Sequence, residues 1–85
     1  MGISDRDIEK WIIKKLVRKR CWGKGHLSAD NLVKGHDRLY KSKMLEIADE
    51  LVRRDILVSF PHGGEKHYYL NPKARKEIYR IVESL

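Results

Sequence analysis

Residues 44–71 read MLEIADELVRRDILVSFPHGGEKHYYLN, and the hydrophobic periodicity changes near the middle of this stretch. In the first half, apolar residues recur three and four positions apart, which predicts an amphipathic helix from about residue 40 to 54. The apolar face of that helix holds Met44, Leu45, Ala48, Leu51 and Val52. In the second half, strand-forming runs at 56–60 and 66–70 flank the Pro- and Gly-containing segment 61–65, which predicts a β-hairpin.

Two helices are predicted before this stretch. Ser4 is a candidate N-cap followed by acidic residues, and apolar residues at helical spacing then predict a first helix over residues 5–20. After a Gly-containing loop, His26 and Leu27 form a short extended piece. Ser28 is a second N-cap, and it predicts a helix of about two turns that Gly35 ends in the left-handed conformation.

A last helix is predicted over residues 72–85. Asn71 caps it, and Pro72 occupies the first helical position, where its missing N–H costs nothing. Its apolar face holds Ala74, Ile78, Ile81, Val82 and Leu85. The elements therefore follow the order helix, short extended piece, short helix, long helix, hairpin, helix.

The composition indicates one small basic domain spanning residues 1–85. The chain has 19 Lys and Arg against 12 Asp and Glu, a net charge of +7, which favours a polyanionic partner. The length excludes a large enzyme. The single cysteine, Cys21, cannot form an internal disulfide and is expected to be a small buried apolar residue in a reducing compartment.

The element order and the stretch from Met44 to Asn71 resemble the winged helix-turn-helix family of DNA-binding domains. The resemblance implies a mainly α fold with a small β-hairpin wing, in the order α1-(β1)-α2-α3-β2-β3-α4. The sequence departs from the family pattern at Asp55, where many members carry Gly at the turn into the first wing strand. That position requires Asp55 to adopt a left-handed or bent conformation.

The resemblance implies a small transcriptional regulator that binds double-stranded DNA. The third helix would enter the major groove with its basic end, which carries Arg38, Tyr40, Lys41, Ser42 and Lys43. The wing, residues 61–66, would rest on the backbone or minor groove and supply His62 and Lys66. The basic first helix and its loop would add phosphate contacts from Lys19, Arg20 and Lys24.

Several alternatives stay open at the level of sequence. The same charges suit an ordinary solvated surface, and winged-helix domains also serve as protein-interaction modules in replication, transcription or RNA-processing assemblies. RNA is a third partner class, since phosphate contacts do not separate it from DNA. Family members often form homodimers through a terminal helix, and the last helix is apolar enough for this role.

Other functions are not expected. The sequence contains no nucleotide-cradling Gly-rich loop and no recognisable catalytic set, so neither an enzyme nor a cofactor is predicted. Cys21 and the four histidines lack the paired spacing of a structural zinc site, so no metal is predicted. We expect a cytoplasmic protein, nucleoid-associated if it binds DNA, without a membrane role. The absence of Gln and Thr beside abundant Lys, Glu and Arg is typical of thermophilic proteins.

Overall fold

A computed structural model describes residues 3–83 and confirms the predicted order of elements. The helices and strands are α1 (Asp5–Arg18), β1 (Leu27–Ser28), α2 (Ala29–Leu32), α3 (Arg38–Arg53), β2 (Leu57–His62), β3 (Glu65–Leu70), a 3-10 turn (Pro72–Ala74) and α4 (Arg75–Glu83). The strands form one antiparallel sheet in the order β1-β3-β2, so the hairpin gains a third strand from the short piece before α2.

α1 and α3 end in the same hydrogen-bonding motif, although neither ends at a glycine. Arg20 and Asp55 adopt left-handed φ angles of 56° and 61°. The next residue in each case, Cys21 or Ile56, donates its N–H to the carbonyl five positions earlier, over 2.9 Å in both. This is the Schellman arrangement, and the buried side chains of Cys21 and Ile56 favour it. The predicted end of α1 at residue 20 is therefore wrong by two residues.

The short strand β1 pairs with β3 at one edge of the sheet, and α2 packs against these two strands. α2 has a single turn instead of the predicted two, and Ser28 caps it by accepting a hydrogen bond from the Asn31 N–H over 3.1 Å. Gly35 does take the left-handed conformation, with φ of 91°, but it lies beyond the end of the helix. After Leu32 the chain continues in tighter turns, in which the Lys34 and His36 N–H groups donate to carbonyls three positions earlier. The Lys15 ammonium of α1 caps this end of α2 by donating to its last carbonyls.

The hairpin is tighter than the sequence suggests. Strand β2 continues through Pro61 to His62 and β3 begins at Glu65, so Gly63 and Gly64 alone form the turn, with φ of 61° and 80°. Positive φ at both positions is the requirement of a two-residue turn whose twist matches the strands. The predicted break at 61–65 is wrong because β2 lies at the edge of the sheet, where a proline without N–H costs no ladder bond.

The core lies between the three longer helices and one face of the sheet. The expected burial of Cys21 is confirmed, at 2% exposure, and Tyr68 of the hairpin is also buried, at 1%. Ile13 and Ile47 are also buried, which extends the apolar faces predicted for α1 and α3. Ile78 of α4 is fully buried and Ala74, Ile81 and Val82 pack at the border of the core, whereas the predicted end of this helix at 84–85 lies outside the described residues.

The end of β3 connects the two Schellman motifs. The Leu70 N–H donates to the Cys21 carbonyl over 2.7 Å, and the Asn71 N–H donates to the Ile56 carbonyl over 3.0 Å. The Asn71 side-chain amide donates to the carbonyl of Asp55 over 2.8 Å. Two consecutive residues thus fasten the ends of α1 and α3 to the sheet.

No helix within residues 3–83 is long and apolar enough to cross a membrane.

Candidate nucleic-acid interface

The first two turns of α3 present half of the residues predicted to contact DNA. α3 begins at Arg38, two residues earlier than predicted, with Asp37 as an N-cap whose side chain makes no capping hydrogen bond. Arg38, Lys41 and Ser42 are exposed and Tyr40 is half-buried. The charge of Lys43 is partly neutralised, because its ammonium lies 3.6 Å from the carboxylate of Asp5 in α1.

Leu39 is a surface residue that the sequence analysis did not single out. It lies in the first turn of α3 and is 83% exposed, the highest value among the large apolar residues described. Because the third helix was predicted to begin at about residue 40, Leu39 lay outside it, whereas the observed helix begins at Arg38. An exposed leucine among cations and hydroxyls supplies an apolar contact surface at the basic end of the helix.

The second half of α3 has the opposite charge character. Glu46 and Glu50 are exposed, and Asp49 accepts a 3.1 Å hydrogen bond from the Lys66 ammonium of the hairpin. Arg53 is the exposed cation in this part of the helix. A polyanion can therefore approach α3 favourably only at its N-terminal turns.

A second basic surface lies between the C-terminal half of α1 and the segment that follows α2. We call it the α1 groove; it consists of two adjoining depressions that share Lys15, Arg18 and Lys34. Lys14 and Lys19 line one depression each, and no acidic residue lines either. Of the three cations predicted after α1, only Lys19 lines this groove, while Arg20 and Lys24 are exposed in the following turn and loop.

Lys15 shows how concentrated the positive charge is. Its ammonium donates hydrogen bonds to the carbonyls of Asn31 (2.6 Å) and Leu32 (3.2 Å), so it also caps α2. Burial lowers the pKa of Lys15, and the nearby charges of Lys19, Arg18 and Lys34 lower it further. Mutual repulsion of this kind is relieved when an anion enters the groove.

Stacked rings join the α1 groove to the start of α3. Trp11 of α1 stacks on His36, with ring centroids 5.2 Å apart, and contacts Tyr40 edge-on at 6.4 Å. Trp11 and His36 also line the groove beside Lys14. The basic turns of α3 and the groove are therefore neighbouring surfaces, with Asp37 between them in the chain.

The two residues predicted to act from the hairpin lie on opposite faces of it. The strand register pairs Pro61 with Lys66 and His62 with Glu65, and adjacent pairs alternate between faces. Lys66 points to the α3 side, where it binds Asp49. His62 points to the other side, so the two side chains cannot both contact the same phosphate.

His62 belongs instead to a ring cluster that the sequence analysis missed. His26, His62 and His67, which we call the imidazole cluster, have ring centroids 4.9 to 5.4 Å apart. Phe60 packs edge-on against His26 at 4.9 Å. The cluster has no short-range sequence signal, because strand pairing brings together residues 41 positions apart.

No protein-family model, curated protein or solved structure matches the chain.

Proposed function

We propose that this chain is a winged helix-turn-helix protein that binds double-stranded DNA and acts as a small transcriptional regulator. The observation that carries the proposal is the adjacency of two cationic surfaces, the N-terminal turns of α3 and the acid-free α1 groove. The helix order and the three-stranded antiparallel sheet with its hairpin are consistent with that family.

In this proposal the first two turns of α3 enter the major groove. Arg38 and Lys41 reach phosphates or guanine edges, and the Ser42 hydroxyl serves as a neutral donor or acceptor. Leu39 supplies an apolar contact, for which the methyl group of thymine is the matching feature of the major groove. The acidic second half of α3 stays outside the groove.

The α1 groove then neutralises the phosphate backbone beside the site. Lys14, Arg18 and Lys34 are the cations placed to do so, whereas Lys15 is held by the α2 carbonyls. The hairpin turn approaches the backbone or minor groove with Gly63 and Gly64, where the absence of side chains permits close contact. Lys66 contributes only if it leaves Asp49.

The decisive experiment is a titration of duplex DNA at increasing salt. The affinity should fall steeply between about 50 and 200 mM salt, because phosphate contacts release counterions. Replacing Arg38 and Lys41 by Glu, or Lys14 and Arg18 by Glu, should weaken binding and reduce the slope of log affinity against log salt by about 2.

The matched control is Lys76→Glu on α4, since Lys76 is exposed and lies outside both surfaces. It should change affinity far less than either double substitution. Absence of duplex binding at about 50 mM salt would remove the proposal. Tighter binding to duplex RNA than to duplex DNA would redirect it to RNA.

A second candidate function is a protein-interaction module. The exposure of Leu39 (83%) on α3 and Tyr79 (39%) on α4 is the observation that favours it. Chemical-shift mapping with duplex DNA separates the two functions. Shifts clustered on residues 38–42 and in the α1 groove support DNA binding, whereas an unaffected spectrum supports a protein partner.

Homodimer formation through the last helix is part of the first proposal. Ile78 is fully buried in the core of the same chain, so a partner would contact the remaining border of α4 around Tyr79 and Val82. Light scattering at tens of micromolar protein tests this, and Tyr79→Glu should shift any dimer towards the monomer.

A further inference from the structure

We propose that the imidazole cluster is a binding site for a first-row transition-metal dication of the Zn²⁺ class. The site would use one ring nitrogen from each of His26, His62 and His67 and leave a fourth position open to water or another donor. Neutral imidazole is a preferred ligand of Zn²⁺, Co²⁺, Ni²⁺ and Cu²⁺. The inference does not depend on DNA binding.

The spacing of the rings carries the proposal. With metal–nitrogen bonds of about 2.0 to 2.1 Å and tetrahedral angles, ligand nitrogens lie about 3.3 Å apart and imidazole centroids about 5 Å apart. The three centroid separations here are 5.4, 4.9 and 4.9 Å. The Nδ1 atoms of His26 and His67 are already 2.9 Å apart.

The sheet explains how the three rings meet. His67 pairs with Ser28 on β1 and with Phe60 on β2. His62 lies two positions after Phe60 on the same face, and His26 immediately precedes β1. Each ligand therefore comes from a different strand or strand end, on a rigid three-stranded support.

The site is not closed as it stands. Within residues 3–83, no group of three or more His, Cys, Asp and Glu side chains is arranged so that it could hold a metal ion without rearrangement. His26 and His67 share a hydrogen bond, in which one Nδ1 carries the proton. Metal binding requires that proton to move to Nε2 of the same ring and the exposed His62 ring to turn towards the pair.

The fourth histidine provides a matched control. His36 is stacked on Trp11 of α1 and has no part in the cluster. If metal bound nonspecifically to any histidine, replacing His36 would lower the metal affinity as much as replacing a member of the cluster. If the cluster is a specific site, replacing His36 leaves the metal affinity unchanged.

The experiment uses the full chain without a histidine tag. Titration with Co²⁺ should give ligand-field absorption bands that saturate at one ion per chain, and Zn²⁺ should abolish them by competition. His26→Ala, His62→Ala and His67→Ala should each lower the affinity at least about tenfold, since even outer partners of metal ligands matter that much. His36→Ala should bind as the unaltered chain does.

A second measurement avoids variants that fold poorly. In the unaltered chain, one equivalent of Zn²⁺ should shift the ring ¹⁵N signals of His26, His62 and His67 and leave those of His36 in place. Absence of saturable 1:1 binding, equal loss of affinity in His36→Ala, or ring shifts at all four histidines would overturn the proposal.

Discussion

The hydroxyl of Tyr68 donates a 2.7 Å hydrogen bond to the carboxylate of Asp49, which joins the central strand to the middle of α3. The same carboxylate oxygen accepts from the Lys66 ammonium over 3.1 Å. Tyr68 is 1% exposed, so its hydroxyl needs this partner. This pair therefore adds a polar link between α3 and the sheet to the packing of the buried apolar face of the helix.

Tyr68→Phe should lower the free energy of unfolding by about 1 to 2 kcal/mol, because the lost hydrogen bond has a charged acceptor. The loss is limited because the Asp49 carboxylate keeps its hydrogen bond from Lys66. Urea denaturation measures this change. Tyr69→Phe, on the half-buried outer face, is the control and should change stability by less than about 0.5 kcal/mol. Equal losses in the two variants would contradict a specific role of the pair.

The Asp49 carboxylate should make stability depend on pH in acid. Burial alone would raise the pKa of Asp49, but hydrogen bonds from Tyr68 and Lys66 and the charges of Lys66 and Arg53 outweigh it, so the pKa lies below its ordinary value of 3.8. A depressed pKa means that the stabilisation is present above pH 3.8 and is lost as the pH falls through the lower folded value.

The measurement is the difference in unfolding free energy between the unaltered chain and Asp49→Asn. The difference should be constant near neutral pH and should shrink below pH 3.8. A difference that grows in acid would show that the carboxylate opposes folding.

The local signals of the sequence predicted the starts of α1 and α2 and of the turn before α4, whereas α3 begins two residues earlier than predicted. Ser4 accepts a hydrogen bond from the Asp7 N–H over 3.2 Å, Ser28 caps α2, and Asn71 accepts from the Lys73 N–H over 3.0 Å. Each cap acts within three residues, so a short window of sequence contains the whole interaction. The Asn71-Pro72 start nevertheless opens a 3-10 turn before α4.

The interactions that the sequence could not predict are those between distant segments. Lys15 of α1 caps the last carbonyls of α2, Lys43 lies beside Asp5, and Lys66 binds Asp49. In each case the sequence indicated only an available cation. The imidazole cluster needs the register of all three strands. Local patterns specify elements, whereas the partner of a long side chain depends on how the elements pack.

The left-handed residue that ends α3 allows a test of the Schellman motif. Asp55→Gly should be neutral or stabilise the fold by about 0.5 kcal/mol, because glycine adopts positive φ without steric cost. Asp55→Val should destabilise it by about 1 kcal/mol or more, since a β-branched residue is strained there. Thermal and urea unfolding of the two variants should give this order, and the reverse order would contradict the assignment.

Lys15 should behave as a structural cation and Lys14 as a surface one. Lys15→Met removes the hydrogen bonds to the α2 carbonyls and should cost about 1 to 2 kcal/mol of stability. Lys14→Met, at the exposed neighbouring position, should cost less than about 0.5 kcal/mol. Urea denaturation compares the two, and similar losses would show that the capping contact contributes nothing.

Asp37 should oppose the proposed DNA binding. Asn is as good an N-cap as Asp, and the Asp37 side chain makes no capping bond, so Asp37→Asn should preserve stability. Removing a negative charge between the two basic surfaces should raise duplex affinity about twofold or more at low salt, with the gain fading at high salt. Unchanged or weaker binding at low salt would place the duplex elsewhere.

The two consecutive backbone bonds at the end of β3 have a consequence for how the molecule opens. Leu70 holds the end of α1 through Cys21, and Asn71 holds the end of α3 through Ile56. Neither amide can meet solvent while both helices stay docked, so their hydrogen exchange should require complete unfolding. Their protection should therefore equal the global stability, whereas the amides of the hairpin turn exchange through local openings.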